Sequence, residues 1–144
     1  MQKKLQQRKE SGFTIIEVLI VLAIAGLIML IVFLAVPTLQ RNARNNARNS
    51  EASRTSALVT ECLANRNGVV ASCGTAAQIA WEAASFQQFT GITFDANAGT
   101  TSNMHIDFGS KCSADGSSSV AGTTRDFTVR YQREPAIDRC IGSQ

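Results

Sequence analysis

Nineteen consecutive residues, Val18 to Val36, carry no polar side chain. As a helix they span roughly 28 Å, close to the roughly 30 Å hydrocarbon core of a bilayer. Lipid offers the backbone no hydrogen-bond partners, so a helix is the only reasonable form for such a segment. A buried core helix of a soluble protein fits this length poorly. A secretory signal peptide has a shorter apolar region, about 7–15 residues, ending in small residues. Here Phe33 stands at the −3 position before Ala35, the only plausible cleavage site. The tract therefore reads as a membrane helix. Its orientation does not follow from charge: Lys3, Lys4, Arg8 and Lys9 precede it, and Arg41, Arg44, Arg48 and Arg54 follow it.

The rest of the composition sets bounds. A chain of 144 residues supports one domain, and 17% charged residues with 44% apolar ones do not describe a disordered chain. The formal charge of +3 arises wholly in residues 1–12; beyond them basic and acidic residues balance. A general nucleic-acid-binding surface is therefore disfavoured, although nucleic acid stays a minority reading for the later arginines. With 10 Gly and 2 Pro and no long-period repeat, collagen-like, solenoid and low-complexity architectures are excluded.

Glu17 is the anomaly near the start of the apolar run. An ionisable side chain there is either a functional residue or a carboxylate that snorkels to the headgroups. The string Lys9-Glu10-Ser11-Gly12-Phe13-Thr14-Ile15-Ile16-Glu17-Val18-Leu19-Ile20 resembles the processing motif of type IV pilins and pseudopilins. Four features coincide: a basic leader, Gly12, Phe13, and Glu17 inside an apolar helix. The resemblance covers about the first third of the chain. It implies that a prepilin peptidase cuts between Gly12 and Phe13 and methylates the new Phe13 amine, with the leader in the cytoplasm. It also implies that this amine meets the Glu17 carboxylate of a neighbouring subunit during assembly. Phe13 and Glu17 are one helical turn apart, so pairing within a subunit is an alternative. Such helices often carry a mid-span proline; here the proline is Pro37, just past the tract, and Gly26 is the candidate for local melting or close helix contact.

The expected fold is α+β: a long N-terminal helix, membrane-spanning in its first half, packed on a small antiparallel sheet. The expected organisation is a cleaved leader at 1–12, an assembly helix at 13–37, its continuation at 38–66, and a head at 67–144. Along the continuation Leu39, Ala43, Ala47, Leu58, Val59, Cys62 and Leu63 fall near one helical face. Arg41, Arg44 and Arg48 fall on another, followed by Glu51 and Arg54. That stripe reads as a solvated face, an anionic-lipid contact or a set of intersubunit salt bridges. A second short helix is expected from Thr75 to about Gln88, with Ile79, Trp81 and Phe86 packing. Strands are expected at Ile92–Asp95, Asn103–Phe108 and Asp126–Arg133, where apolar residues alternate with polar ones, and loop between Gly109 and Thr124. Cys62, Cys73, Cys112 and Cys140 allow three pairings. Export to an oxidising space favours disulfides. The favoured pairs are Cys62–Cys73, closing the turn after the helix, and Cys112–Cys140, which resembles the C-terminal disulfide loop of many pilins.

Chemistry finds little support. There is no Cys-x-x-Cys and one histidine, His105, sharing a strand face with Asp107; zinc is disfavoured. No phosphate loop, nucleophile elbow or paired-carboxylate pattern is present, and Asp115-Gly116 reads as a turn rather than a calcium loop. The expectation is a structural subunit without cofactor or metal, not an enzyme: an adhesion or motility fibre subunit made as a precursor in the bacterial cytoplasmic membrane and assembled into an extracellular helical filament. Implied partners are the peptidase, an assembly platform driven by a cytoplasmic ATPase, the membrane before assembly, and copies of itself. The alternatives are a pseudopilin of a type II secretion or DNA-uptake system, an unprocessed single-span binding protein, and a secreted enzyme dependent on His105.

Overall fold

The computed structural model describes residues 12–81 and 85–143; the basic leader before Gly12 lies outside the described residues. The chain forms two compact units, Met1–Leu39 and Gln40–Gln144. Helix α1 runs from Ile15 to Asn65. Through the first unit its large apolar side chains are exposed, from Ile15 at 81% to Leu39 at 66%. A continuous apolar surface of this kind is costly in water. Among the described residues α1 is the one helix long and apolar enough to cross a membrane. Pro37 lies inside it without ending it, and the Thr38 hydroxyl donates to the Ala35 carbonyl at 2.8 Å. Gly26 is open: an added Cβ would meet no atom within 4 Å beyond its own helix.

The second unit begins with the later turns of α1. The helix stops where Asn67 and Gly68 take left-handed backbone conformations, φ 51° and 77°, and the Gly68 amide donates to the Leu63 carbonyl at 2.7 Å. A 3-10 turn follows at Val70–Ser72. The strands are β1 Gly91–Phe94, β2 Asn103–Phe108, β3 Ser110–Cys112, β4 Ser119–Ala121, β5 Phe127–Arg133 and β6 Ile137–Gly142. Four form a sheet in the order β1-β2-β5-β6, and β3 pairs with β4 in a separate hairpin. Met104 and Ile106 of β2 and Phe127, Val129 and Tyr131 of β5 turn inward, as the alternation requires. They meet Ala52, Val59, Cys62 and Leu63 of α1, with Cys73, Ile79 and Phe89 completing the core. The result is an α+β fold.

Four expectations change. The sheet is not wholly antiparallel, because β1 runs parallel to β2. Residues 95–102 make that crossover by passing close over β5: Gln132 donates to the Thr100 carbonyl at 3.2 Å, and Gly99 lies so near the Arg130 and Tyr131 backbone that a Cβ would overlap it. The helix expected from Thr75 to Gln88 is not formed. Turns occupy 76–81, Ala80 and Ser85 have positive φ, and residues 82–84 lie outside the described residues. A positive φ at a non-glycine residue interrupts a right-handed helix. The Ser/Gly-rich stretch expected to be loop contains β3 and β4. Strand β6 was not expected, since the face it shares with Val129 and Tyr131 reads Ile137, Arg139, Ile141, with an arginine in the apolar register.

Candidate functional site

The start of α1 is a reciprocal cap. Thr14 precedes the helix, and its hydroxyl accepts the Glu17 amide at 3.4 Å. The Glu17 carboxylate turns back to accept the Thr14 amide at 2.9 Å and its hydroxyl at 2.7 Å. This is the capping box written by Thr-x-x-Glu, and it satisfies donors that would otherwise be orphaned at the helix start. Gly12 and Phe13 precede the cap in non-helical backbone. Phe13 is exposed and Gly12 has open space around it. Thr14 was missed in sequence, although the Thr14-Ile15-Ile16-Glu17 spacing is the signal that finds it. The Glu17 carboxylate is thus held by the amide and hydroxyl of Thr14, the residue after Phe13.

The cysteines lie in the second unit. Cys62 on α1 is bonded to Cys73, with 6.0 Å between Cα atoms, and Cys112 on β3 to Cys140 on β6, at 5.6 Å. The second bond ties the hairpin to the edge of the main sheet. The Cys112 amide adds a bond to the Ser143 carbonyl, and the Cys140 amide one to Gly116.

Within the arginine stripe Arg48 is buried, Arg41 stays exposed, and the exposed Arg44 reaches across to the head. Arg44 grips Glu134 with two bonds, Nε to Oε1 at 3.0 Å and Nη2 to Oε2 at 2.7 Å, and Arg48 adds Nη2 to Oε1 at 3.2 Å. The bond from Arg44 holds the Glu134 carboxyl below its usual range, aided by the charges of Arg44 and Arg48, and Glu134 in turn raises Arg44. Asn45 brackets the Glu134 backbone, donating to its carbonyl at 2.9 Å and accepting its amide at 2.8 Å. Tyr131 donates to Asn49 at 2.6 Å. Glu51 accepts the amides of Gln87 and Gln88, and Arg54 lies 5.1 Å over the ring of Phe86. The buried face of α1 here is Asn45, Arg48, Glu51, Ala52 and Thr55; Leu39 and Ala43, expected on that face, are exposed. The intrachain clamp that Arg44 and Arg48 form with Glu134 is none of the three readings of the stripe.

His105 is part-buried between β1 and β2. Its Nδ1 contacts both the Asp95 carboxylate and, at 2.8 Å, the Thr93 hydroxyl. The bond from His105 lowers the Asp95 pKa. A nucleophile relay needs the hydroxyl and the carboxylate on opposite ring nitrogens; here both meet the same one, so the trio fastens the strand ends. Asp107, expected beside it, pairs across to Thr128. Asp115 accepts from Ser113 and Ser117, which lower it to about 2, and shapes the β3–β4 turn. No group of three metal-ligating side chains occurs among the described residues.

Residues 7–33 match the prokaryotic N-terminal methylation motif, the class III leader of type IV pilins. The match covers about a fifth of the chain and contains Gly12, Phe13 and Glu17, so the N-terminal region is that of a prepilin-like protein, whether pilin or pseudopilin. It points to a structural role and to a membrane-anchored precursor. No curated protein and no solved structure matches the chain.

Proposed function

We propose that this chain is the precursor of a type IV pilus subunit. A prepilin peptidase cuts between Gly12 and Phe13 and methylates the freed amine, and the product polymerises through α1 into an extracellular helical filament. The observation that carries this reading is the coincidence of the methylation motif with an exposed apolar helix opened by the Thr14–Glu17 cap. In the precursor α1 sits in the cytoplasmic membrane; in the filament, neighbouring α1 helices replace lipid. Cleavage converts the Phe13 amide into an ammonium close to a carboxylate the cap already orients. A charge in apolar surroundings is costly unless paired, so docking of one subunit's amine on another's Glu17 penalises wrong axial register. The head, tied by Cys62–Cys73 and Cys112–Cys140, forms the outer surface. The partners are the peptidase, an assembly platform with its cytoplasmic ATPase, and further copies of the chain.

The test is the unreduced intact mass of the protein from its own host. A mass lacking residues 1–12, with one added methyl and four hydrogens missing, supports cleavage, methylation and two disulfides together. A full-length unmethylated mass refutes the proposal and favours an unprocessed anchored protein. The pseudopilin reading shares the motif and the cap. Long surface fibres containing this chain exclude it; confinement to a short periplasmic filament establishes it.

A further inference from the structure

Beneath α1 the second unit gathers more positive charge than it neutralises. Tyr131 and Arg133 lie two residues apart on one face of β5, and Arg139 stands directly opposite Tyr131 on β6, on the same face. The Tyr131 hydroxyl reaches Asn49 of α1, and the neighbouring Arg48 reaches Glu134, the residue after Arg133. Three guanidiniums therefore converge between α1 and the β5–β6 end of the sheet. Burial raises the Tyr131 pKa, while Arg133 and Arg139 are near enough to oppose that rise. Among the described residues Glu134 is the carboxylate bonded there, and Arg44 already holds it through two bonds, while Glu51, one turn along α1, is taken up by the Gln87 and Gln88 amides. Asp138 is turned to Gln132 on the opposite face.

The donors are not used up. The Arg48 side chain is 9% exposed, and its Nε and Nη1 are buried with no hydrogen-bond partner among the described residues. The Nε atoms of Arg133 and Arg139 are in the same condition. Buried guanidinium donors without acceptors are costly, and the planar fork of arginine matches the oxygens of a phosphate in two-point contact. We propose that Arg48, Arg133 and Arg139 form a binding site for a phosphate group. Two sources can supply it: the headgroup of an anionic phospholipid or free phosphate.

The test uses the full chain in neutral detergent with disulfides intact. Equilibrium dialysis against radiolabelled inorganic phosphate, at ionic strength matched with chloride, should show about one phosphate per chain. Arg133→Gln and Arg139→Gln should each weaken binding at least tenfold, and Arg41→Gln, an exposed arginine on the same helix, should leave it unchanged. Native Trp81 emission checks the fold of each variant. If a glutamine variant loses that emission, Arg139→Lys replaces it, keeping the charge, removing the fork, and weakening binding. Displacement of phosphate by short-chain phosphatidylglycerol identifies the headgroup as the source; phosphate binding that this lipid leaves intact identifies free phosphate. No phosphate bound, or binding equal in the wild type and in correctly folded Arg133 and Arg139 variants, overturns the proposal.

Discussion

Glu51 should be the most consequential carboxylate in the head, and its replacement gives a quantitative test of the packing of α1. Its residue exposure is 9%. Oε1 accepts the Gln87 amide at 2.9 Å and the Gln88 amide at 3.1 Å, while Oε2 accepts Gln88 at 2.9 Å. A hydrogen bond to a charged group contributes about 1.5–3 kcal/mol. Glu51→Gln keeps one acceptor oxygen, sets an NH2 group against an amide hydrogen, and removes the charge from the remaining bond. The expected loss is about 2–3 kcal/mol, and Glu51→Ala, which leaves both amides without an acceptor, should lose about 3–4 kcal/mol. At roughly 4–8 °C per kcal/mol for a domain near this size, the glutamine variant should melt about 10–20 °C lower. The assay is urea unfolding of the full chain in neutral detergent without reductant. It is followed by emission of Trp81, the single tryptophan, which stacks on Phe86 at 5.0 Å beside the anchored segment. Glu61 is exposed on the same helix, and Glu61→Gln should stay within about 0.5 kcal/mol of the wild type. If Glu51→Gln falls in that same range, the carboxylate does not hold residues 85–88 to α1 and the reasoning fails.

Gly99→Ala should destabilise the head by about 1–3 kcal/mol, because the new methyl overlaps the Arg130 carbonyl and Tyr131 Cα; an unfolding midpoint equal to wild type would show that the crossover relaxes freely. Stability should fall in acid. Asp95, Asp126 and Glu134 have lowered pKa values when folded, Asp126 chiefly through the Thr123 amide. Their contribution is complete above the ordinary carboxylate range near about 4 and is lost as pH falls through the folded values, so urea midpoints should be flat from pH 7 to 5 and decline below about 4. Glu134→Gln should flatten part of that decline, and an unchanged slope would remove the Arg44 clamp as a source of it. Replacing both members of either disulfide by alanine should cost about 3 kcal/mol or more, since the bonds close loops of 11 and 28 residues. A loss below about 1 kcal/mol for either pair would show that residual structure already restricts the unfolded chain.

What could be read in advance followed from periodicity and length. The 19-residue apolar run and the alternations of β2 and β5 each have one physical solution, and α1, Asn103–Phe108 and Phe127–Arg133 are where those patterns put them. The capping box was equally legible in Thr14 and Glu17, because it depends on four adjacent residues. The polar seam was not. Arg48 and Glu51 read as part of a stripe facing water, lipid or neighbouring subunits because hydropathy assigns polar side chains outward, yet they and Asn45 are buried by partners about 36 to 89 positions away. Strand β6 was hidden for the same reason: Arg139 breaks its apolar register, and its neighbours in space come from β5 and β3. Polar burial of this kind depends on pairings that no local pattern encodes. It also has a consequence for the chain. An apolar lower face on the second unit would prolong the apolar run beyond Leu39 and favour non-specific association of heads. A seam of carboxylates and guanidiniums resists that, because Glu51 and Glu134 lose their donors if α1 slides by one turn against the sheet. The seam therefore fixes the register of the part of α1 that belongs to the head.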